Sequence, residues 1–144
     1  MIAIVCSEFN SKVTNGLLKG CLVALNEDGV NSEKIDIHKV PGVFELPGKV
    51  KLLTRGDTSY DAIITLGCVI KGETDHYHYI SQAVTDGIMS LTVGLDSDYP
   101  KIIFGVLTCQ SKELAMARSD SNMNKNKGYE AGKAALNMIS TKKD

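Results

Sequence analysis

Residues 60–76 read Tyr60-Asp-Ala-Ile-Ile-Thr-Leu-Gly-Cys-Val-Ile70-Lys-Gly-Glu-Thr-Asp-His76. The first part, 60–70, is the most apolar run in the chain, with Ile63, Ile64, Leu66, Val69 and Ile70 and little polar alternation. A short run that is apolar on both faces is what a central strand of a parallel sheet requires. A helical pattern follows almost at once, from about His76 to Gly94, with Ile80, Val84, Ile88 and Leu91 on one face. A strand feeding directly into a helix sets the repeating unit of the chain.

The same unit recurs on either side. Residues 1–6 form an apolar run, and Ser11 to about Asp28 carries Val13, Leu17, Leu18, Cys21, Leu22 and Leu25 at helical spacing before Gly29 supplies a stop. Residues 34–40 alternate as a strand until Pro41-Gly42 breaks them. A short helix is expected after Glu45, with Pro47 in its first turn and Gly56 at its end. Residues 101–107 read as a last strand, followed by helices over about 111–118 and 126–140. Strands separated by helices pair in parallel through crossover connections. The expectation is an α/β chain, a single three-layer α/β/α domain over 1–144 with a four-stranded parallel sheet flanked by helices. Ligands bind such sheets at the carboxyl ends of the strands, which directs attention to 7–10, 41–45, 71–76 and 108–118.

Composition narrows the function classes. The 16 basic and 17 acidic residues leave a net charge of -1, which gives no reason to expect nucleic acid or an anionic membrane as partner. There is no Trp and only 6% aromatic residues, so a stacking platform for single-stranded nucleic acid is lacking. No stretch approaches a membrane span, and Met1-Ile-Ala-Ile-Val-Cys6 reads as a strand rather than a charged leader. Cys6, Cys21, Cys68 and Cys109 match no metal or haem spacing and read as free thiols in a reducing, cytoplasmic compartment. No metal site is expected.

Several residues at the strand ends carry chemistry. Gly67-Cys-Val-Ile-Lys-Gly72-Glu73-Thr74 is spaced like a Walker A loop, but Glu73 stands where the phosphate-neutralising lysine belongs. A nucleoside triphosphate is therefore disfavoured, while glycine and helix-start amides can still hold a single phosphate. A tight turn with Thr74 as helix cap is the structural alternative. His76 follows, and a neutral imidazole accepts a proton. His78 should face another side of the helix, and His38, inside an alternating strand, reads as structural. Phe9, after the first strand, can stack on a planar ring or cover the core. In Val40-Pro-Gly42-Val-Phe-Glu45-Leu-Pro47, Gly42 permits close approach. Glu45 there can accept hydrogen bonds from sugar hydroxyls or simply favour a helix start. Arg118 is suited to phosphate, or to the C-terminal end of a helix.

Taken together, Ser7-Glu8-Phe9-Asn10, Pro41-Gly42-Val43-Phe44-Glu45-Leu-Pro47, Gly67 through Tyr79, Phe104-Gly-Val-Leu107 and Asn126-Lys127-Gly128 resemble the successive signatures of the lumazine synthase family, in order and over essentially the whole chain. The resemblance implies a flavodoxin-like fold and synthesis of 6,7-dimethyl-8-ribityllumazine, a step of riboflavin biosynthesis. The substrates would be a ribitylamino-pyrimidine and a four-carbon sugar phosphate, with no metal or organic cofactor. It implies that Phe9 stacks on the pyrimidine. Asn10, Gly42, Val43, Phe44 and Glu45 would hold the pyrimidine and ribityl chain, and main chain at Val69 and Ile70 would read the pyrimidine edge. Gly72, Glu73, Thr74 and Arg118 would hold phosphate, and His76 would transfer protons. From an adjacent subunit, Phe104 would close the ring pocket, with Lys127 nearby. The implied assembly is a pentamer, with riboflavin synthase as a candidate protein partner.

The chain departs from the family pattern in two places. It starts almost at the first strand, where family members often carry several preceding residues. Ser119-Asp-Ser-Asn-Met-Asn-Lys125 replaces the usual glycine-containing turn and is one residue longer. In the family that junction influences capsid assembly, so a pentamer or decamer is expected rather than a sixty-subunit shell. The competing readings are an archaeal-type riboflavin synthase, a non-catalytic lumazine- or flavin-binding oligomer, and a flavodoxin-like electron carrier. The last lacks a Ser/Thr-rich phosphate loop after the first strand.

Overall fold

Nine consecutive residues of the central strand set the two interiors of the protein. The computed structural model describes residues 1–96 and 98–141. In chain order its elements are β1 (Ile2–Ser7), α1 (Ser11–Glu27), β2 (Ile35–Val40), α2 (Leu46–Thr54), β3 (Ala62–Ile70), α3 (His76–Gly94), β4 (Lys101–Cys109), α4 (Lys112–Ala117) and α5 (Lys127–Thr141). Every residue of β3 except Ile70 is buried. Ala62, Ile64, Leu66 and Cys68 enter a core with Leu17 and Cys21 of α1 and Ala131 and Ala135 of α5. Ile63 and Val69 enter the opposite core with Leu46 and Val50 of α2 and Val84 and Ile88 of α3. Each fully buried Ile or Leu side chain contributes on the order of 1.5–3 kcal/mol of transfer free energy. Thr65, the polar residue in the run, is satisfied by donating to the Ile103 carbonyl at 2.9 Å.

The four strands are all parallel in the order β2-β1-β3-β4, with helices on both faces. This is the expected flavodoxin-like α/β fold. The connection after β1 leads to one side of it and the connection after β2 crosses back to the other, so the order reverses between β1 and β3. That reversal opens a crevice at the strand ends.

Several boundaries differ from the sequence expectation, each for a tertiary reason. β3 begins at Ala62 rather than residue 60. Tyr60 instead turns its hydroxyl to donate to Asp36 Oδ2 at 2.6 Å, and Asp61 pairs with the N-terminal ammonium at 3.1 Å. β4 runs on to Cys109, because Thr108 and Cys109 pair with Val69 and Ile70. Lys34 belongs to a 3-10 turn, Ser32–Lys34, capped by the Asn31 side chain, and a second 3-10 turn, Val43–Glu45, precedes α2. α4 is shorter than expected, its start capped by the Ser111 hydroxyl. The stop at Gly29 is as read, with φ 80°.

The segment 119–126 is closed at its base, where the Lys127 amide donates to the Arg118 carbonyl at 2.8 Å. Asn126 is 2% exposed and anchors the segment. Its amide donates to the carbonyls of Gly16 and Asp120, and its oxygen accepts from the Tyr129 amide, capping α5. The extra length is thus absorbed as an excursion, and Arg118 and Lys127 are held side by side. α5 and α1 pack at backbone distance there: a Cβ on Gly128 would collide with the Leu17 carbonyl. Among the described residues, no helix is long and apolar enough to cross a membrane.

Candidate active site

Three loops meet where the strand order reverses. After β1, the amides of Glu8 and Phe9 donate to the carbonyls of Val40 and Pro41, so this segment follows the end of β2. After β2, the 3-10 turn Val43–Glu45 settles onto β3 at Gly67. A Cβ on Gly67 would sit 2.5 Å from Val43 Cγ1 and 2.8 Å from Ser7 Oγ, so only glycine admits the turn. After β3, residues 71–75 turn into α3, whose cap residue Asp75 offers no side-chain hydrogen bond. The Thr74 hydroxyl accepts from the His76 amide at 3.4 Å. Asp75 therefore takes the cap position expected of Thr74, and the opening turn of α3 remains able to receive an anion.

Between these loops lies a cleft of about 460 Å³, within the range of small-molecule sites. Its lining brings together Phe9, Asn10, Gly42, Val43, Phe44, Glu45, Val69, Ile70, Gly72, Thr74 and His76 of the residues singled out from sequence. Phe9 and Phe44 stand 73% and 61% exposed at its rim, so Phe9 is not a lid over the core. Four further lining residues, Pro41, Cys68, Tyr77 and Ile80, escaped the sequence reading as site residues. In the sequence Ile80 is one position of an apolar helix face, and Tyr77 lies between His76 and His78. His78 lies outside the cleft, with its ring edge on Tyr77 at 5.1 Å.

Glu73, Phe104, Arg118 and Lys127 do not line the cleft. Glu73 is exposed in the turn. Phe104 is half-buried against the α2 and α3 core. Arg118 is exposed after α4, near enough to Cys109 to offset part of the rise that burial imposes on that thiol. Lys127 pairs with Glu130 at 3.2 Å. Among the described residues, no Lys or Arg lines the cleft.

The chemistry available is proton transfer and orientation rather than covalent attack. Cys68 is the thiol at the wall, and burial pushes its pKa up to about 12, with Cys109 beside it adding to the rise. A thiol so placed is protonated near neutrality and is a poor nucleophile. All four cysteines are free and buried. His38 lies apart from the cleft, 3.5 Å from the Tyr60 hydroxyl. Burial first, then Lys49, lowers its proton affinity, with Asp36 opposing. Among the described residues no group of three or more His, Cys, Asp or Glu could hold a metal.

The model of the 6,7-dimethyl-8-ribityllumazine synthase family matches residues 1–143. The chain belongs to that family. Lumazine synthases are transferases of riboflavin biosynthesis, and the match runs through every loop of the cleft. The first three sequence signatures run off the ends of β1, β2 and β3 into the loops of this cleft, whereas Phe104-Gly-Val-Leu107 lies within β4 and Asn126-Lys127-Gly128 stands at the start of α5.

Proposed function

We propose that the protein condenses 5-amino-6-(D-ribitylamino)uracil with 3,4-dihydroxy-2-butanone 4-phosphate, releasing phosphate and water to give 6,7-dimethyl-8-ribityllumazine, the penultimate step of riboflavin biosynthesis. The observation that carries this reading is the convergence of an aromatic ring, a glycine-rich turn and one imidazole on a single cleft. Phe9 stacks on the pyrimidine; Asn10, Gly42, Val43, Phe44 and Glu45 hold the pyrimidine and ribityl chain; and main chain at Val69 and Ile70 reads the pyrimidine edge. Gly72, Glu73 and Thr74 hold the phosphate with Arg118. His76 relays protons as amine and ketone form an imine with loss of water, phosphate leaves and the ring closes. These steps need orientation and proton transfer, which suits a cleft without a reactive thiol.

The test is direct. Purified protein mixed with both substrates should generate the fluorescent lumazine. A flavin formed from lumazine alone would instead favour riboflavin synthase chemistry, and tight lumazine binding without turnover would favour a silent binding protein.

Arg118 supplies the cation that is lacking among the described residues of the cleft lining. Arg118→Ala is expected to raise the KM for the sugar phosphate by roughly 10- to 150-fold, the equivalent of losing about 1.5–3 kcal/mol of charge-assisted contact. Steady-state kinetics with each substrate varied in turn checks it. A defect confined to the pyrimidine would sink the phosphate assignment.

The exposed rings of Phe9 and Phe44 and the exclusion of Phe104 and Lys127 from the cleft support a site completed by an adjacent subunit. The assembly is a pentamer or decamer in a cytoplasmic setting, with riboflavin synthase as a candidate partner. Light scattering should give a particle of five or ten subunits. A particle near a megadalton would overturn that assembly.

A further inference from the structure

Asn10 holds an unusual place. It is the one non-glycine among the described residues with positive φ, at φ 62° and ψ 49°, in the left-handed region that L side chains avoid. It also stands at the cap position of α1, where an asparagine side chain normally accepts from the first-turn amides. It makes no such bond. Its carbonyl accepts from the amides of Val13 and Thr14, while its side chain reaches across the sheet. There Nδ2 donates to the Cys68 carbonyl at 3.2 Å. No other side-chain hydrogen bond of Asn10 is made among the described residues, so Oδ1 is left for a ligand.

β1 pairs with β3 only as far as Cys6 against Leu66, whereas β4 accompanies β3 to Ile70. Residues 68–70 thus overrun β1, and the open side of this overhang lines the cleft. The Asn10 amide acts there as a side-chain rung that extends the ladder past the end of the strand. Since Phe9 precedes it and is itself tied to Pro41, the turn at Asn10 links the ends of β1, β2 and β3.

We propose that Asn10 is a positioning residue: by holding the Cys68 carbonyl it fixes the plane of the Cys68–Val69 peptide and the seat of Phe9 around the planar ligand. Strain and a forgone cap concentrated at one residue of the cleft agree with that role. The proposal rests on the condensation described above for its kinetic consequences, but not for its structural one.

Asn10→Gly accepts the left-handed turn without strain and removes the amide; Asn10→Asp keeps the shape but sets a carboxylate against a carbonyl. In ligand-free Asn10→Gly, the carbonyl ¹³C resonance of Cys68 should move upfield as its hydrogen bond is lost. Its kcat should fall about tenfold, as expected from misplaced reactants. The pyrimidine KM should rise and the sugar-phosphate KM stay unchanged. Asn10→Asp should fold and show the larger loss. An unmoved Cys68 resonance, or a moved one with wild-type kcat and pyrimidine KM, would overturn the proposal. If the wild-type protein forms no lumazine, the condensation reading alone fails. Positioning is then decided by the Cys68 resonance together with a roughly tenfold weaker binding of 6,7-dimethyl-8-ribityllumazine by Asn10→Gly, and wild-type binding would reject it.

Discussion

His76→Ala is expected to slow lumazine formation by roughly 10- to 1000-fold, the usual span for losing a general acid or base. His76 opens α3 and lines the cleft, and the thiol of Cys68, another lining residue, is held protonated by burial, so it cannot take over the proton transfer. Activity should not vanish, since holding two substrates in register contributes to the rate by itself. Affinity for the pyrimidine should change little, because Phe9 and the Pro41–Glu45 loop are untouched. Initial rates and equilibrium binding measured on the same preparation check both halves. Turnover equal to wild type would remove His76 from the mechanism.

Gly128→Ala should cost about 3 kcal/mol of stability, the upper end for overpacking a close contact. The added methyl would meet the Leu17 carbonyl, which is backbone and cannot swing aside. α5 must then move away from α1, and the Asn126 bonds to Gly16 and Asp120 are strained with it. Thermal unfolding should shift down by roughly 10 °C. Because the Lys127 amide holds the Arg118 carbonyl, the displacement should also weaken sugar-phosphate binding. A melting temperature equal to wild type would contradict the contact.

The sequence disclosed the strand-helix alternation because β3 and α1 are strongly patterned, and it disclosed most of the cleft because three of the signatures run off the ends of β1, β2 and β3. Other features depended on partners far away in the chain. The 3-10 turn at Val43–Glu45 forms because Gly67 leaves room for it, more than twenty residues away. The left-handed turn at Asn10 answers to Cys68. Asparagine before a helical run reads as a cap, and nothing local says that its amide is engaged elsewhere. Cys68 reads from sequence as a free thiol, which it is, and its place at the cleft wall appears only once β3 is seen to outlast β1. Lys127 follows the longer Ser119–Lys125 segment. The bond from its amide to Arg118 shows how added length leaves the base of that segment intact.

That β3 feeds alternate side chains into two separate interiors has an evolutionary corollary. One residue inserted within it would deliver every later side chain to the wrong interior and misalign the pairing with both neighbours. Length variation is thereby driven out of the strand and into the connections, as at 119–126. Lineages of this fold can remodel the rim of the sheet while its centre stays fixed in count.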